Sequence, residues 1–175
     1  MKRIVLLSDT HAHVDDQIER HLEGCDEIWH AGDIGSMAVV NRLMQFAPLR
    51  AVHGNVDDII IRSEYPQFLE FETEGVAVMM THIGGFPGKY SVEAYRRLQS
   101  SEFLRRPEEV KLFVCGHSHI LRVMYDKHYG MLTLNPGAAG LQGFHEVRTL
   151  LKFNLNDGKI TDMDVVNIPR VFRGE

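Results

Sequence analysis

Two histidines beside a glycine, in Gly116-His117-Ser118-His119, close the apolar run Leu112-Phe113-Val114-Cys115. Imidazoles at positions i and i+2 can face one locus, provided other ligands reach it from elsewhere in the chain. Four earlier apolar runs end in the same way. Residues 4–7 lead into Ser8-Asp9-Thr10-His11, and residues 27–29 into His30-Ala31-Gly32-Asp33. Residues 49–52 lead into His53-Gly54-Asn55-Val56-Asp57, and residues 76–80 into Thr81-His82. Ligands of an open α/β sheet bind at the carboxyl ends of its strands. The pattern therefore describes a metal site.

The candidate ligands differ in what they can offer. Asp9 and His11 can hold one ion together. Asp33 can use its two carboxylate oxygens to bridge two ions, Asn55 supplies a neutral amide oxygen, and His82, His117 and His119 supply imidazole nitrogens. A mixed oxygen and nitrogen set without thiolate suits Mn, Fe, Zn, Co or Ni and does not choose among them. Each piece alone is weak, since an isolated Asp-x-His is common and a histidine after an apolar strand is usually a core or loop residue. The ordered set, every member at a strand end, carries the signal.

The elements that must position these residues follow from periodicity. Residues 2–7 are the all-apolar strand expected when both sheet faces are covered. Val14, Ile18 and Leu22 fall at helical spacing, and Gly24 is a plausible stop. Residues 36–46 read as a helix with Ser36 as N-cap and Pro48 beyond its end. Two such β-α units predict a parallel sheet with right-handed connections. Ile59-Ile60-Ile61 is ambiguous, residues 68–72 alternate like a strand, and Thr73-Glu74-Gly75 turns into the strand 76–81. Residues 91–103 look helical, and Pro107-Glu108-Glu109 precedes the strand 111–115. Strands are expected at 121–125, 131–134, 149–155 and 159–166, the last two joined at Asn156-Asp157-Gly158, a strong hairpin signal. The expectation is one α/β domain over residues 1–175 with two sheets, a parallel half first and a more antiparallel half after it.

With these motifs in order over residues 9–119, the chain resembles the calcineurin-like metallophosphoesterases, whose pattern is Asp-x-His, Gly-Asp, Gly-Asn-x-Asp, an isolated His and Gly-His-x-His. Its length and the late Asn135-Pro136-Gly137 resemble the small YfcE-type phosphodiesterases. The resemblance implies a two-sheet β sandwich flanked by helices, in four α/β/β/α layers. It implies two divalent metal ions per chain, manganese first, with Zn, Fe, Ni, Co or Mg as alternatives. Asp9, His11, Asp33 and His119 would hold one ion, and the bridging Asp33 with Asn55, His82 and His117 the other. The chemistry implied is hydrolysis of a small phosphodiester by in-line attack of a hydroxide held between the ions. Asn55 and His82 would also stabilise the phosphoryl group, and Asp57 would orient a ligating histidine.

One departure bears on catalysis. Many members of the family carry histidine after the Gly-Asn pair, where this chain has Val56, which cannot donate a proton. Loss of general acid catalysis typically costs about 10²–10⁴-fold. Activity is then expected on esters with acidic leaving groups, unless His13 or His53 substitutes. The alternatives are a non-catalytic interaction scaffold on the same fold, as a eukaryotic retromer subunit is, or a phosphomonoesterase. The complete ligand set favours the enzyme.

Bulk properties narrow the rest. A net charge of −5 argues against a general nucleic-acid binder. Two cysteines, Cys25 and Cys115, give no disulfide framework. No run is long enough for a signal peptide core or a membrane span, which predicts a cytoplasmic protein. A homo-oligomer is compatible with the resemblance. The arginines Arg96, Arg97, Arg105 and Arg106 read as a solvated face, while Phe86, Lys89 and Tyr90 read as plain loop or pocket wall.

Overall fold

The computed structural model describes residues 1–105 and 110–170, so Arg106 and the Pro107-Glu108-Glu109 segment lie outside the described residues. Two five-stranded mixed sheets face each other with helices on their outer sides. The first sheet has the order β12-β11-β1-β2-β3, where β1 is Lys2–Leu7, β2 Glu27–His30, β3 Leu49–Ala51, β11 Val147–Asn156 and β12 Lys159–Pro169. The second has the order β4-β5-β8-β10-β9, with β4 Phe68–Thr73, β5 Val76–Thr81, β8 Val110–Val114, β9 Leu121–Asp126 and β10 Met131–Pro136. A two-stranded ribbon, β6 Gly85–Phe86 and β7 Lys89–Tyr90, occupies the glycine-rich loop.

The halves are not parallel first and antiparallel second. β1, β2 and β3 run parallel, but β11 joins β1 antiparallel, with Ile4 opposite Phe153, and brings β12 with it. β5, β8 and β10 are parallel to one another, with antiparallel β4 and β9 at the edges. Each sheet thus has a parallel centre.

Alternation along the strands builds the layers. Ile4 and Leu6 of β1 point between the sheets, where they meet Trp29, Val78, Met80, Leu112, Val114 and Phe153. Val5 and Leu7 point the other way, against Ile18, Leu22, Val39, Val40, Leu43 and Ile61 of the helices. These are α1 Asp16–Leu22, α2 Met37–Leu43 and α3 Ile59–Glu64. On the far side, Met79, Phe113 and Met131 pack on Ala94 and Leu98 of α4, Val92–Ser100.

Local chemistry fixes the helix ends. Asp15 caps α1 by accepting from Ile18 N, Asp58 caps α3 through Ile60 N and Ile61 N, and Ser91 caps α4 through Ala94 N. Asp58 thereby decides the ambiguous triple isoleucine in favour of a helix. Ser36 stands at the N-cap of α2 but makes no side-chain cap bond, and α2 ends before the expected Phe46. α4 stops at Ser100 and gives way to a 3-10 turn, Glu102–Arg105, so the expected helix to Phe103 is split.

Candidate metal centre

The parallel centres of both sheets place the carboxyl ends of β1, β2, β3, β5 and β8 together, and the loops leaving them are stitched to one another. Asp9 N donates to Gly32 O at 3.0 Å, His11 N to Asp33 O at 3.0 Å, and Gly116 N to His82 O at 2.9 Å. Gly140 N, from the loop after β10, donates to Asp9 O at 3.1 Å. The packing is tight enough to demand glycine at the motif positions. A β-carbon on Gly54 would lie 2.0 Å from Asp33 Oδ1, and one on Gly116 would lie 2.1 Å from Ser8 Oγ.

Asp9, His11, Asp33, His117 and His119 all have φ between 46° and 68°, the left-handed region. Each such residue costs about 1–3 kcal/mol and persists only where its surroundings over-determine it. Strain collected on chemistry-bearing residues marks a site.

Those surroundings divide each carboxylate into a held oxygen and an open one. Asp9 Oδ2 accepts from Ser8 Oγ at 2.6 Å and from His117 N at 3.1 Å. Its Oδ1 is buried with no hydrogen-bond partner and faces His119 Nε2 at 3.3 Å, His82 Nε2 at 3.8 Å and His11 Nε2 at 3.9 Å. Asp33 Oδ1 accepts from Val56 N at 3.0 Å, while Oδ2 faces His82 Nε2 at 3.1 Å and His11 Nε2 at 3.9 Å. Two groups result, Asp9 with His11 and His119, and Asp33 with His82 and His117, each with donor atoms within 4.8 Å of one another. Asp33 Oδ2 stands between them. Asn55 Oδ1 lies 3.0 Å from His117 Nδ1, which places the amide in the second group.

The donor set fits divalent cations. His82 Nδ1 is 2.7 Å from the Ala31 carbonyl, to which it can only donate, so its Nε2 lone pair faces the cluster. That Nε2, like Asp9 Oδ1, is buried without a hydrogen-bond partner. No lysine or arginine pairs with Asp9 or Asp33 among the described residues. Two buried carboxylates and unpartnered ligand atoms are costly unless a cation neutralises them. Burial alone would raise the Asp33 carboxyl, but the His82 imidazole beside it holds it below the usual range. Burial pulls His82 down, and Asp33 and Asp9 push it up further, to a net rise.

Residues behind the cluster hold the loops. Asp57, expected to orient a histidine, instead accepts three backbone N–H groups, from Ile34 at 3.2 Å, Gly35 at 2.7 Å and Gly54 at 2.7 Å. It ties the Asp33 loop to the Asn55 loop because their N–H groups are buried and have no strand to pair with. His30 has a defined tautomer. Thr10 Oγ1 donates to Ile34 O and so accepts from His30 Nε2, and His30 Nδ1 accepts from Gly32 N. Burial lowers His30 to about 4, which keeps it neutral. Asn135 donates to Gly116 O and Ser118 Oγ and accepts from Gly137 N, holding the Gly-His-x-His turn. Ser8, Thr10 and His30 carry no sequence signal of these roles beyond lying next to the motifs.

The remaining expectations separate. His13 Nε2 pairs with Asp15 Oδ2 at 3.1 Å, and Asp15 is itself gripped by both terminal nitrogens of buried Arg148. His53 lines a cleft of about 270 Å³ together with Asn55, Thr81, His82 and Ile83. Of the two histidines, only His53 shares that cleft with cluster residues. Val56 exposes its side chain and contributes its backbone N–H to Asp33. Arg97 pairs with Glu70 and Arg105 with Glu102, both on the surface. Tyr90 turns to Asp126 at 2.5 Å and stays out of the cleft lining, as do Phe86 and Lys89.

The model of the calcineurin-like phosphoesterase superfamily domain matches residues 1–158. The chain belongs to that superfamily. Among curated proteins none matches this sequence. Similar solved structures share the fold. A Vps29 variant from Entamoeba histolytica is 16% identical, with 95% of this chain and 99% of that chain covered and a TM-score of 0.69. A Thermotoga maritima protein is 24% identical over 96% and 100% of the two chains, with a TM-score of 0.66. The YfcE phosphoesterase of E. coli is 17% identical over 93% and 98%, with a TM-score of 0.59. The fold is thus common to a phosphoesterase and to Vps29. No helix among the described residues is long and apolar enough to cross a membrane.

Proposed function

We propose that the protein is a phosphodiesterase that uses two divalent cations, manganese first among them. The observation that carries the reading is the pair of split carboxylates, each with one oxygen held by the protein and the other turned to a shared group of histidines. Asp9, His11, Asp33 and His119 would hold one cation, and Asp33, Asn55, His82 and His117 the other. Bound there, the cations would supply a nucleophile at neutral pH and Lewis acidity toward the phosphoryl oxygens. The chain's own part is positional. Ser8 and the His117 N–H fix Asp9, the Val56 N–H fixes Asp33, and the Ala31 carbonyl fixes the His82 tautomer. His53, which lines the cleft with Asn55, would stand in for the histidine absent at position 56.

The test is turnover of bis(p-nitrophenyl) phosphate against p-nitrophenyl phosphate, by metal-stripped protein with and without Mn²⁺. The expected result is metal-dependent cleavage of the diester that disappears in Asn55→Ala and His117→Ala. Cleavage of the monoester in preference would replace the diester reading with a phosphomonoesterase. The likeness to Vps29 favours a second reading, an interaction scaffold. Two bound cations per chain with no hydrolysis under any divalent ion would select it.

A further inference from the structure

The cleft beside the candidate ligand groups contains an arginine that the mechanism above does not use. Arg62, on α3, donates from Nε to Asp57 O at 2.7 Å and from Nη2 to Asn55 O at 2.9 Å and Gly54 O at 3.3 Å. One edge of the guanidinium is therefore spent on the carbonyls of the loop that carries Asn55. Among the described residues Nη1 has no partner and no carboxylate pairs with Arg62. The residue nevertheless lines the cleft together with Asn55, His82 and His53. A guanidinium locked on one edge and open on the other is a preorganised donor for a carboxylate or phosphate. Its orientation cost is already met by the loop.

The opposite sign is also present in the cleft, in a controlled form. Glu93 lines it and accepts from Gln67 Nε2 at 2.5 Å. A carboxylate there takes hydroxyl or amine donors and repels a long polyanion, in keeping with the net charge of −5.

We propose that this cleft receives one ester arm of the substrate and that Arg62 binds an acidic group, carboxylate or phosphate, on that arm. The substrate class is then a small phosphodiester bearing a second acid. This rests on the phosphodiesterase reading, so the test is a binding measurement that does not require turnover. Isothermal titration of the Mn²⁺-loaded protein would compare methyl phosphate with 2-phosphoglycolate, which adds a carboxylate, and with ethane-1,2-diol bisphosphate, which adds a phosphate. The wild type should prefer at least one doubly acidic ligand by about tenfold or more over methyl phosphate. The larger of the two ratios identifies the acid.

In Arg62→Gln the ratio should collapse toward one, and in Arg62→Lys part of it should survive, because the charge remains without the fork. The ratio is the readout, since loosening of the Asn55 loop would weaken all three ligands together. A wild-type ratio near one, or an unchanged ratio in Arg62→Gln, overturns the proposal. Failure of the phosphodiesterase reading shows separately, as absence of turnover of any diester.

Discussion

One short strand, β2, separates two buried acidic clusters that are built in opposite ways. At its start, Glu27 is charge-balanced within the chain. Lys2 Nζ reaches Oε1 at 2.6 Å, Arg50 Nε reaches Oε2 at 2.8 Å, and Trp29 Nε1 adds a bond at 3.0 Å. Past its end, Asp33 and the neighbouring Asp9 are at least as buried but have only imidazoles, backbone N–H groups and the Ser8 hydroxyl around them. Burying a carboxylate without compensation is expensive. The chain meets that cost with lysine and arginine at one end and leaves it open at the other. Glu27 is closed from within, and Asp9 and Asp33 are not.

The comparison breaks most visibly at Asp33. Asp33→Ala removes the oxygen between the two ligand groups and should lower diester turnover by about 10³-fold or more, the scale of losing Lewis-acid stabilisation. Metal content measured on the purified variant should fall with it. Its metal-free melting temperature should not drop, because an unbalanced buried charge has gone. A clear drop there would mean that Asp33 is structural, like Glu27.

Metal removal is the next sharpest probe. Mn²⁺ at a hundredfold over its Kd stabilises by about 2.7 kcal/mol. For a chain of this length that is about 5–10 °C in melting temperature. Thermal scans with chelator and with Mn²⁺ should differ by that amount in wild type, and coincide in Asp33→Ala.

Glu27→Gln tests the closed cluster. It should cost about 2 kcal/mol, because both cationic partners are only partly buried. Metal binding, read by titration, should stay as in wild type. Burial opposes the charge on Glu27, but Arg50 and Lys2 outweigh it and hold its pKa down to about 2. A folded-state pKa below the unfolded value contributes stability that is complete above about 4.5 and is lost as pH falls from there toward 2. Acid unfolding of wild type should show this loss, and Glu27→Gln should lack it.

The smallest effect belongs to His13→Ala. Its ring partner is Asp15, and Asp15 keeps its double contact with Arg148. Turnover should fall far less than the 10²–10⁴-fold that follows loss of a general acid. A fall of that size would make His13 the substitute for the histidine absent at position 56.

The amino-acid sequence by itself determined where the candidate ligands lie. Apolar runs end in Asp, Asn or His because a strand buried on both faces must be apolar along its length, and its polar ligands can only follow its last residue. That makes Asp9, His11, Asp33, Asn55, His82, His117 and His119 readable in one dimension. Glycines 54 and 116 stand in the same motifs, where a β-carbon would collide with Asp33 Oδ1 or Ser8 Oγ. Tertiary structure alone decided the rest. Alternation marks β11 and β12 as strands, yet the pairing of β11 with β1 depends on which edge is open, a contact some 150 residues away in sequence. Asp57 looked like a partner for a histidine. It serves backbone N–H groups instead, because those groups are stranded between loops only once the loops are brought together. The free edge of Arg62 is likewise invisible until the carbonyls that occupy its other edge are in place.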